Sequence, residues 1–128
     1  MYIIVGGAGE VGFHIARALR DEGHDLAVIE PDPQRLERLG ELDVLSIQGN
    51  VASRKVLEEA NVAAADVLIA CTGKDEVNMV AAALAKTYGL RTIARINDTE
   101  YLKVPYSKDY SAMGIDIAVS PEMVAAIR

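Results

Sequence analysis

Short blocks of consecutive apolar residues recur along the chain, and stretches with helical spacing separate them. Continuous apolar blocks are typical of parallel strands that are buried on both faces of a sheet. Six strands alternating with helices form two βαβαβ halves, and right-handed crossovers then predict the strand order 3-2-1-4-5-6. The predicted fold class is therefore α/β, with a doubly wound parallel sheet. The expected strands cover about residues 2–6, 25–30, 44–48, 66–71, 91–96 and 115–119.

Polar residues and prolines mark the expected starts of helices. Asp32 followed by Pro33 places an N-cap and a first-turn proline before the second helix, and Gly40 follows its expected end. Ser53 occupies the capping position before a short third helix. Residues 72–75, Thr-Gly-Lys-Asp, have the spacing of a capping box before the fourth helix.

A glycine-rich turn follows the first strand. Gly7, Gly9 and Gly12 match the template G-x-G-x-x-G of dinucleotide-binding βαβ units. On that template Gly7 allows the tight turn, Gly9 lets backbone N–H groups approach a pyrophosphate, and Gly12 lets the helix pack closely on the sheet. The helix that begins near Glu10 directs its unpaired N–H groups and the positive end of its dipole at the phosphates.

The surroundings of the turn favour nucleotide binding over the alternative, a structural glycine turn that binds nothing. A helical pattern follows the turn and ends near Gly23, the expected C-cap. The second strand ends at Glu30, 23 residues after Gly7 and close to the spacing of about 20 that the template expects. The predicted sheet is thus Rossmann-like.

The apolar stripe of the first helix is expected at Val11, Ile15, Ala18 and Leu19.

Glu30 also selects among nucleotides. A carboxylate at the end of the second strand accepts hydrogen bonds from both ribose hydroxyls and repels a 2′-phosphate. No arginine follows Glu30 immediately to accommodate that phosphate. The sequence therefore favours NAD(H), or another adenine nucleotide with a free ribose, over NADP(H). The alternative is that Glu30 is a solvated strand end.

Composition narrows the function classes. With 128 residues the chain is expected to form one domain, 1–128. Hydrophobic residues make up 51% of the chain and charged residues 25%, a composition that is ordinary for a folded α/β protein. A net charge of −6 argues against a nucleic-acid partner, because binding phosphates needs clustered Lys and Arg. No apolar run approaches the ~18 residues of a membrane span, so direct membrane insertion is not expected. The single cysteine excludes an internal disulfide and suggests a reducing, cytoplasmic setting.

Two helices have more apolar surface than one domain needs. The fourth is apolar almost all the way round over residues 77–88, whereas a helix on one face of a sheet needs a single stripe. Helix 75–88 is therefore expected to pack against a second subunit, the alternative being that loops of the same chain cover it. A last helix starts at Ser120-Pro121 and has barely two turns before Arg128, so we expect a domain cut from a longer chain.

Several short motifs occur together in a specific order. They include Met1–Val5 leading into the glycine turn, and they continue through residues 23–25, 28–30, 32–36, 48–50, 66–70, 72, 75–78, 94–97 and 117–122. With these motifs the chain resembles, over essentially its whole length, the N-terminal nucleotide-binding lobe of TrkA-type regulators of potassium transport, also called RCK or KTN domains.

The resemblance implies a sensor rather than an enzyme. In that family the lobe binds NAD(H), ATP or ADP and assembles as dimers and rings beneath a membrane channel or transporter. Ligand exchange shifts the ring and so gates potassium flow. The implied protein is cytoplasmic, lies at the inner face of the membrane through its partner, and forms homo-oligomers through helix 75–88 and the C-terminal helix.

The resemblance also assigns the cofactor site, with NAD(H) as the expected ligand and ADP, AMP or ATP as alternatives. The backbone of 8–11 would hold phosphates and Glu30 the ribose. Residues 49–51 would lie beside the adenine, Thr72 and Gly73 beside the second half of the nucleotide, and Arg95 near a phosphate or a neighbouring subunit. No catalytic or metal-binding residue is expected. The expected cofactor-binding residues are Gly7, Ala8, Gly9, Glu10, Val11, Gly12, Glu30, Arg35, Gly49, Asn50, Val51, Thr72, Gly73, Asp75, Asn78 and Arg95.

The sequence departs from the family pattern at two positions. The family often has arginine where this chain has Glu10, and a carboxylate there would repel a third phosphate. This departure disfavours ATP. The family's usual aspartate after Gly49 is Asn50 here, which can still accept a hydrogen bond from an adenine amine and can also donate one.

Two other functions are compatible with the sequence. The first is the cofactor half of an NAD-dependent oxidoreductase, which needs an acid–base group near the nicotinamide. His14 and His24 are expected on the surface away from the crevice, and Cys71 is expected to be a small buried hydrophobe. This function therefore requires a missing substrate domain. The second is a redox-sensing module on another protein, such as an antiporter tail.

Overall fold

The computed structural model describes residues 1–102 and 112–120. Their sheet has six parallel strands in the order β3-β2-β1-β4-β5-β6, which confirms the predicted topology. Each strand lies within two residues of its expected bounds. The strands are β1 Tyr2–Gly6, β2 Asp25–Glu30, β3 Leu45–Gln48, β4 Val67–Ala70, β5 Arg91–Arg95 and β6 Ile117–Val119.

Helices cover both faces of the sheet. On one face, Ile4 belongs to a buried cluster with Leu57 and Ala81. On the other, Val5 belongs to a cluster with Phe13. Within residues 1–102 and 112–120, no helix has the length and apolar character that crossing a bilayer requires. The helices are α1 Glu10–Asp21, α2 Pro33–Arg38, α3 Arg54–Glu59 and α4 Asp75–Lys86, and 3-10 turns cover Leu39–Leu42, Val62–Ala64 and Thr99–Leu102.

Of the N-terminal caps expected for α2, α3 and α4, the first two are confirmed and the third is wrong. Asp32 accepts a hydrogen bond from the Gln34 N–H at the start of α2, and Ser53 accepts one from the Val56 N–H at the start of α3. The capping box before α4 does not form, because α4 begins after Lys74 and no side chain caps it. Gly40 follows the end of α2 as expected, directly after the C-cap Leu39, and lies within the 3-10 turn Leu39–Leu42.

The predicted apolar stripe of α1 is half right: Ile15 and Leu19 pack against the core, but Val11 and Ala18 do not. The buried residues of α1 are Gly12, Phe13 and Ala16, whereas Val11 and Ala18 are exposed. Contact between Gly12 and the glycine turn fixes the rotation of the helix: a Cβ added at Gly12 would lie 1.9 Å from the Gly7 carbonyl oxygen. This close approach agrees with the role expected of Gly12 and turns Val11 away from the core.

Helix α4 is covered largely by its own chain. Its buried residues include Met79 and three alanines, while Val80 is 48% exposed and Ala83 is exposed as well. Intramolecular packing thus accounts for most of the apolar surface that suggested a second subunit. Oligomerisation stays a prediction, and the expected C-terminal helix lies outside the described residues.

An ion pair joins α4 to the loop before β6. The Lys86 ammonium lies 2.6 Å from Asp116 Oδ2, and the Thr92 N–H donates to the same oxygen at 2.9 Å. The hydrogen bonds from Lys86 and Thr92 hold the pKa of the Asp116 carboxyl below its ordinary value. Asp116 therefore anchors β6 to β5 and α4 at the edge of the sheet where the strands begin.

Asp116→Asn is expected to lower the free energy of unfolding at pH 7 by about 0.5–1 kcal/mol, since the pair is partly exposed. A carboxyl with a lowered folded-state pKa stabilises the fold above its unfolded pKa, and this stabilisation is lost as the pH falls through the folded value. The difference between the two proteins should therefore shrink at about pH 3. Urea unfolding at both pH values tests this, with Asp25→Asn as the control at an exposed carboxyl on the same edge. A difference that is equal at both pH values would contradict it.

Candidate functional site

A cleft of about 590 Å³ lies at the edge of the sheet where the strands end, beside the switch point between β1 and β4. Open α/β sheets bind ligands at this place, because the chain leaves β1 and β4 towards opposite faces. The volume is within the range of small-molecule sites. The lining residues are Gly7, Gly9, Glu10, Val11, Ile29, Glu30, Pro31, Arg35, Asn50, Val51, Cys71, Thr72, Gly73, Lys74, Val77 and Arg95.

Most of the expected site residues line this cleft, and the rest lie behind its walls. The lining also includes residues that the sequence analysis did not assign to the cofactor. In the sequence, Ile29 and Pro31 flank Glu30, and Lys74 and Val77 follow Gly73. Their closeness in sequence to expected site residues was therefore the signal that could have found them. The expected residues outside the lining are Ala8, Gly12, Gly49, Asp75 and Asn78, and the unexpected lining residues are Ile29, Pro31, Cys71, Lys74 and Val77.

The glycine turn presents backbone to the cleft. Gly7 has φ +101°, a conformation that residues with a Cβ rarely adopt, and its N–H donates to the Ile29 carbonyl at 2.8 Å. A Cβ added at Gly9 would enter the space between the turn and the Arg35 guanidinium, 3.7 Å from Nη1. Gly9 is the N-cap of α1 and no side chain caps this helix. The first N–H groups of α1 can therefore be offered to an anion.

Glu30 is buried, with 2% of its surface exposed. Its Oε1 accepts a hydrogen bond from the Ala8 N–H at 2.7 Å, and its Oε2 accepts one from the Asp32 N–H at 2.8 Å. The carboxylate therefore ties the glycine turn to the start of α2, and this contact directs the Ala8 N–H at Glu30. Burial excludes the alternative of a solvated strand end. Each oxygen can accept a further hydrogen bond, and Glu30 lines the cleft.

The loop after β3 forms another part of the wall. Asn50 Oδ1 accepts a hydrogen bond from the Ala52 N–H at 2.9 Å, an Asx turn that fixes the side chain at the rim. Gly49 lies behind the rim because it packs on α3: a Cβ there would lie 2.9 Å from Val56 Cγ2. Gly49 thus allows the loop to lie close to the helix, and Asn50 and Val51 are the residues of this loop that line the cleft.

On the opposite side, buried polar side chains support the wall. Asn78 is 0% exposed and bonds to backbone groups at the ends of β4 and β5. Asp75 is 8% exposed, and its two carboxylate oxygens accept from the N–H groups of Asn97 and Asp98, each at 2.8 Å. Both residues belong to the scaffold behind Thr72 and Arg95 rather than to the cleft surface.

The charges of the cleft are mixed. Arg35, Lys74 and Arg95 are its cationic lining residues, and Glu10 and Glu30 its carboxylates. Glu10 is 72% exposed and lies 3.8 Å from the Arg38 guanidinium. Arginine and lysine at the rim, together with the N-terminus of α1, suit phosphate groups.

The candidates for acid–base chemistry are weak. Burial raises the pKa of the Cys71 thiol to about 11, although the nearby Arg95 acts in the opposite direction. Cys71 is therefore a protonated, packed side chain at neutral pH, and its Sγ donates to the Gly6 carbonyl at 3.3 Å. His14 is bonded to Arg17 and His24 to the N-terminal amine, and neither histidine lines the cleft.

The topology, the glycine turn and the cleft at the switch point define a Rossmann-like α/β domain. A family model described as the TrkA-N domain matches residues 3–121. The chain belongs to the TrkA-N domain family, which confirms the resemblance seen in its motifs.

Two relatives are potassium uptake proteins by name. The chain is 43% identical over 127 residues to a Trk system potassium uptake protein TrkA homolog of Archaeoglobus fulgidus, covering 98% of this chain and 29% of that protein. It is 42% identical over 129 residues to a TrkA homolog of Pyrococcus abyssi, covering 98% of this chain and 57% of that protein. The chain thus spans well under two thirds of the length of either relative.

Solved structures share the fold at lower identity. The TrkA-N domain of inner membrane protein ybaL from Escherichia coli superposes with a TM-score of 0.86 at 23% identity, covering 98% of this chain and 90% of that one. A Kef C-terminal domain of Shewanella denitrificans in an AMP-bound form gives a TM-score of 0.80 at 20% identity, covering 99% of this chain and 76% of that one. The GsuK channel bound to NAD superposes with a TM-score of 0.77 at 19% identity, covering 92% of this chain and 21% of that one.

Glu30→Gln is expected to lower the free energy of unfolding of the ligand-free protein by about 1–3 kcal/mol. Glutamine keeps one acceptor oxygen, but its NH₂ group then faces one of the two N–H donors that the carboxylate satisfies. Chemical denaturation at pH 7 measures the loss, with Glu37→Gln on the exposed side of α2 as the control. An equal, small effect of both substitutions would show that Glu30 does not hold the two loops together.

Proposed function

We propose that the chain is the nucleotide-sensing domain of a regulator of potassium transport. It binds NAD(H), or an adenine nucleotide, in the cleft at the ends of the strands. The occupancy of the cleft then controls a membrane-embedded transporter or channel. The observation that carries this proposal is the buried Glu30 carboxylate, which lies between a glycine turn and the second helix and lines the cleft.

The adenosine half of the ligand lies on the β2 side of the glycine turn. The ribose hydroxyls donate to the remaining lone pairs of Glu30, and the adenine lies beside Asn50 and Val51. A 2′-phosphate would meet the buried carboxylate, so NADP(H) is disfavoured. Arg35 lies across from Gly9 and is placed to contact either the phosphates or the base.

The phosphates lie against the first turn of α1, where Gly9 to Val11 offer backbone N–H groups. The second half of a dinucleotide then extends to Thr72, Gly73 and Arg95 on the β4 side. Glu10 places a negative charge at the start of α1, which opposes a third phosphate. NAD(H) is therefore favoured over ATP, with ADP and AMP as shorter alternatives.

The comparisons support a regulatory function over catalysis. The relatives are named for potassium uptake, and proteins of this fold have been solved with NAD and with AMP. The cleft itself offers a thiol that is protonated at neutral pH, which is a poor acid–base group for hydride transfer. The cleft is thus suited to binding a nucleotide and reporting its presence.

The proposal extends to assembly and location. The domain lies in the cytoplasm at the inner face of the membrane, attached to its transporter or channel. It forms homo-oligomers through helix 75–88 and the C-terminal helix. Exposed Val80 on α4, and exposed Ile117 and Val119 on the edge strand β6, support an intermolecular contact at this end of the sheet.

A ligand panel tests the proposed function. NADH, NAD, ADP and AMP are expected to raise the melting temperature, and NADPH is not. A ligand at 100 times its dissociation constant adds about 2.7 kcal/mol, which for a domain of this size is on the order of 10 °C. Calorimetry then gives the affinities. Binding of NADPH alone would favour the oxidoreductase, and no response to any nucleotide would overturn the proposal.

Glu10→Arg is expected to raise the affinity for ATP relative to NADH by about three- to tenfold. The substitution replaces a repulsive charge at the start of α1 with an attractive one, and the third phosphate gains most from it. Competition calorimetry measures the ratio. Glu22→Arg makes the same charge change at the far end of α1 and should leave the ratio unaltered. A ratio that responds equally to both substitutions, or to neither, would contradict the assignment of Glu10.

A further inference from the structure

Asn78 uses its whole side-chain amide to join two strands. Its Oδ1 accepts from the Thr72 N–H at 2.9 Å and from the Thr72 hydroxyl at 2.7 Å. Its Nδ2 donates to the Thr72 carbonyl at 3.1 Å and to the Arg95 carbonyl at 2.8 Å. The reversed amide would place NH₂ against the Thr72 N–H donor and its oxygen against two carbonyls, so the orientation is determined. The amide therefore connects Thr72, the second residue after β4, to Arg95, the last residue of β5.

The side chain of Arg95 is held by a second set of contacts. Arg95 Nε donates to Asn97 Oδ1 at 3.1 Å. The Asn97 N–H in turn donates to Asp75 Oδ1 at 2.8 Å, and the Asp98 N–H donates to Asp75 Oδ2. Asn78 thus fixes the backbone of Arg95, and Asn97 fixes its guanidinium. Both sets of contacts originate in the first turn of α4.

These contacts serve only one half of the cleft. Thr72 and Arg95 line it on the β4 and β5 side, whereas Glu30 and Asn50 line it on the β2 and β3 side. Asn78 itself is fully buried and outside the lining. A mononucleotide held by the β2 side does not need Thr72 or Arg95, but a dinucleotide that spans both sides does.

We propose that Asn78 is the positioning residue that determines whether the cleft holds a dinucleotide or only a mononucleotide. It acts by keeping Thr72 and Arg95 at a fixed separation, so that the second nucleotide half meets a preformed wall. This inference rests on the proposed function and adds how the wall that meets the second half of the ligand is held in shape. Asn78 supports the dinucleotide side without touching the ligand.

Asn78→Asp tests the proposal with little change of shape. The aspartate keeps the acceptor for Thr72 but loses both donors, including the one to the Arg95 carbonyl. NADH and AMP affinities are measured by calorimetry on protein shown to be folded by circular dichroism. The dissociation constant for NADH is expected to rise about tenfold or more, and that for AMP to stay within about twofold.

Asn97→Ala is the second variant, because a half-buried loop position tolerates truncation better than a buried one. It frees the Arg95 guanidinium and keeps the backbone contact to Asp75. The NADH constant should rise by about three- to tenfold with AMP again unchanged. Thr92→Val is the control for stability alone, since Thr92 is fully buried at the opposite end of β5 and bonds to Asp116. It should lower the melting temperature and leave the NADH-to-AMP ratio as in the unsubstituted protein.

The outcomes separate the two proposals. If the unsubstituted protein binds neither NADH nor AMP, the proposed function fails. If it binds both, and the Asn78 and Asn97 variants weaken both ligands equally or neither, the positioning function of Asn78 is refuted. Selective loss of NADH in these variants, absent from Thr92→Val, supports it.

Discussion

The buried carboxylate of Glu30 is the interaction on which the cleft depends. Burial of a carboxylate is unfavourable unless hydrogen bonds compensate it, and here the backbone N–H groups of Ala8 and Asp32 supply them. Because these donors belong to different loops, the same two bonds hold the glycine turn against the start of α2. The carboxylate thus shapes the cleft and is also the polar group that a ribose would meet there.

Close backbone contacts and buried amides extend this arrangement to the rest of the site. Gly12 lies so near the Gly7 carbonyl that a side chain at this position would force α1 away from the glycine turn. On the other side of the turn, Asn78 joins the ends of β4 and β5. The walls of the cleft therefore rest on strand ends and helix starts, which are rigid supports for a binding site.

The sequence predicted the fold well, because each strand is a continuous apolar block and the crossover rule leaves one strand order. It was less accurate where long-range contacts decide local structure. Periodicity placed Val11 in the core, but the contact of Gly12 with the turn rotates α1. The capping box at Thr72 failed because α4 begins only after Lys74, so the Thr72 hydroxyl accepts from the Lys74 N–H and does not cap the helix. Motifs grouped Asn78 with the cofactor residues, yet one of its partners, Arg95, is 17 positions away and only the structure shows that contact.

The most direct measurement is a titration of the ¹⁵N-labelled chain with NADH, followed by its amide NMR signals. The account predicts that the amides of Gly9, Val11 and Thr72 shift and saturate together, since they surround one cleft on both sides of the turn. Amides of Asp25 and Arg91, at the opposite edge of the sheet, should not move. Shifts confined to that opposite edge, or no saturable shift anywhere, would contradict a nucleotide site at the ends of the strands.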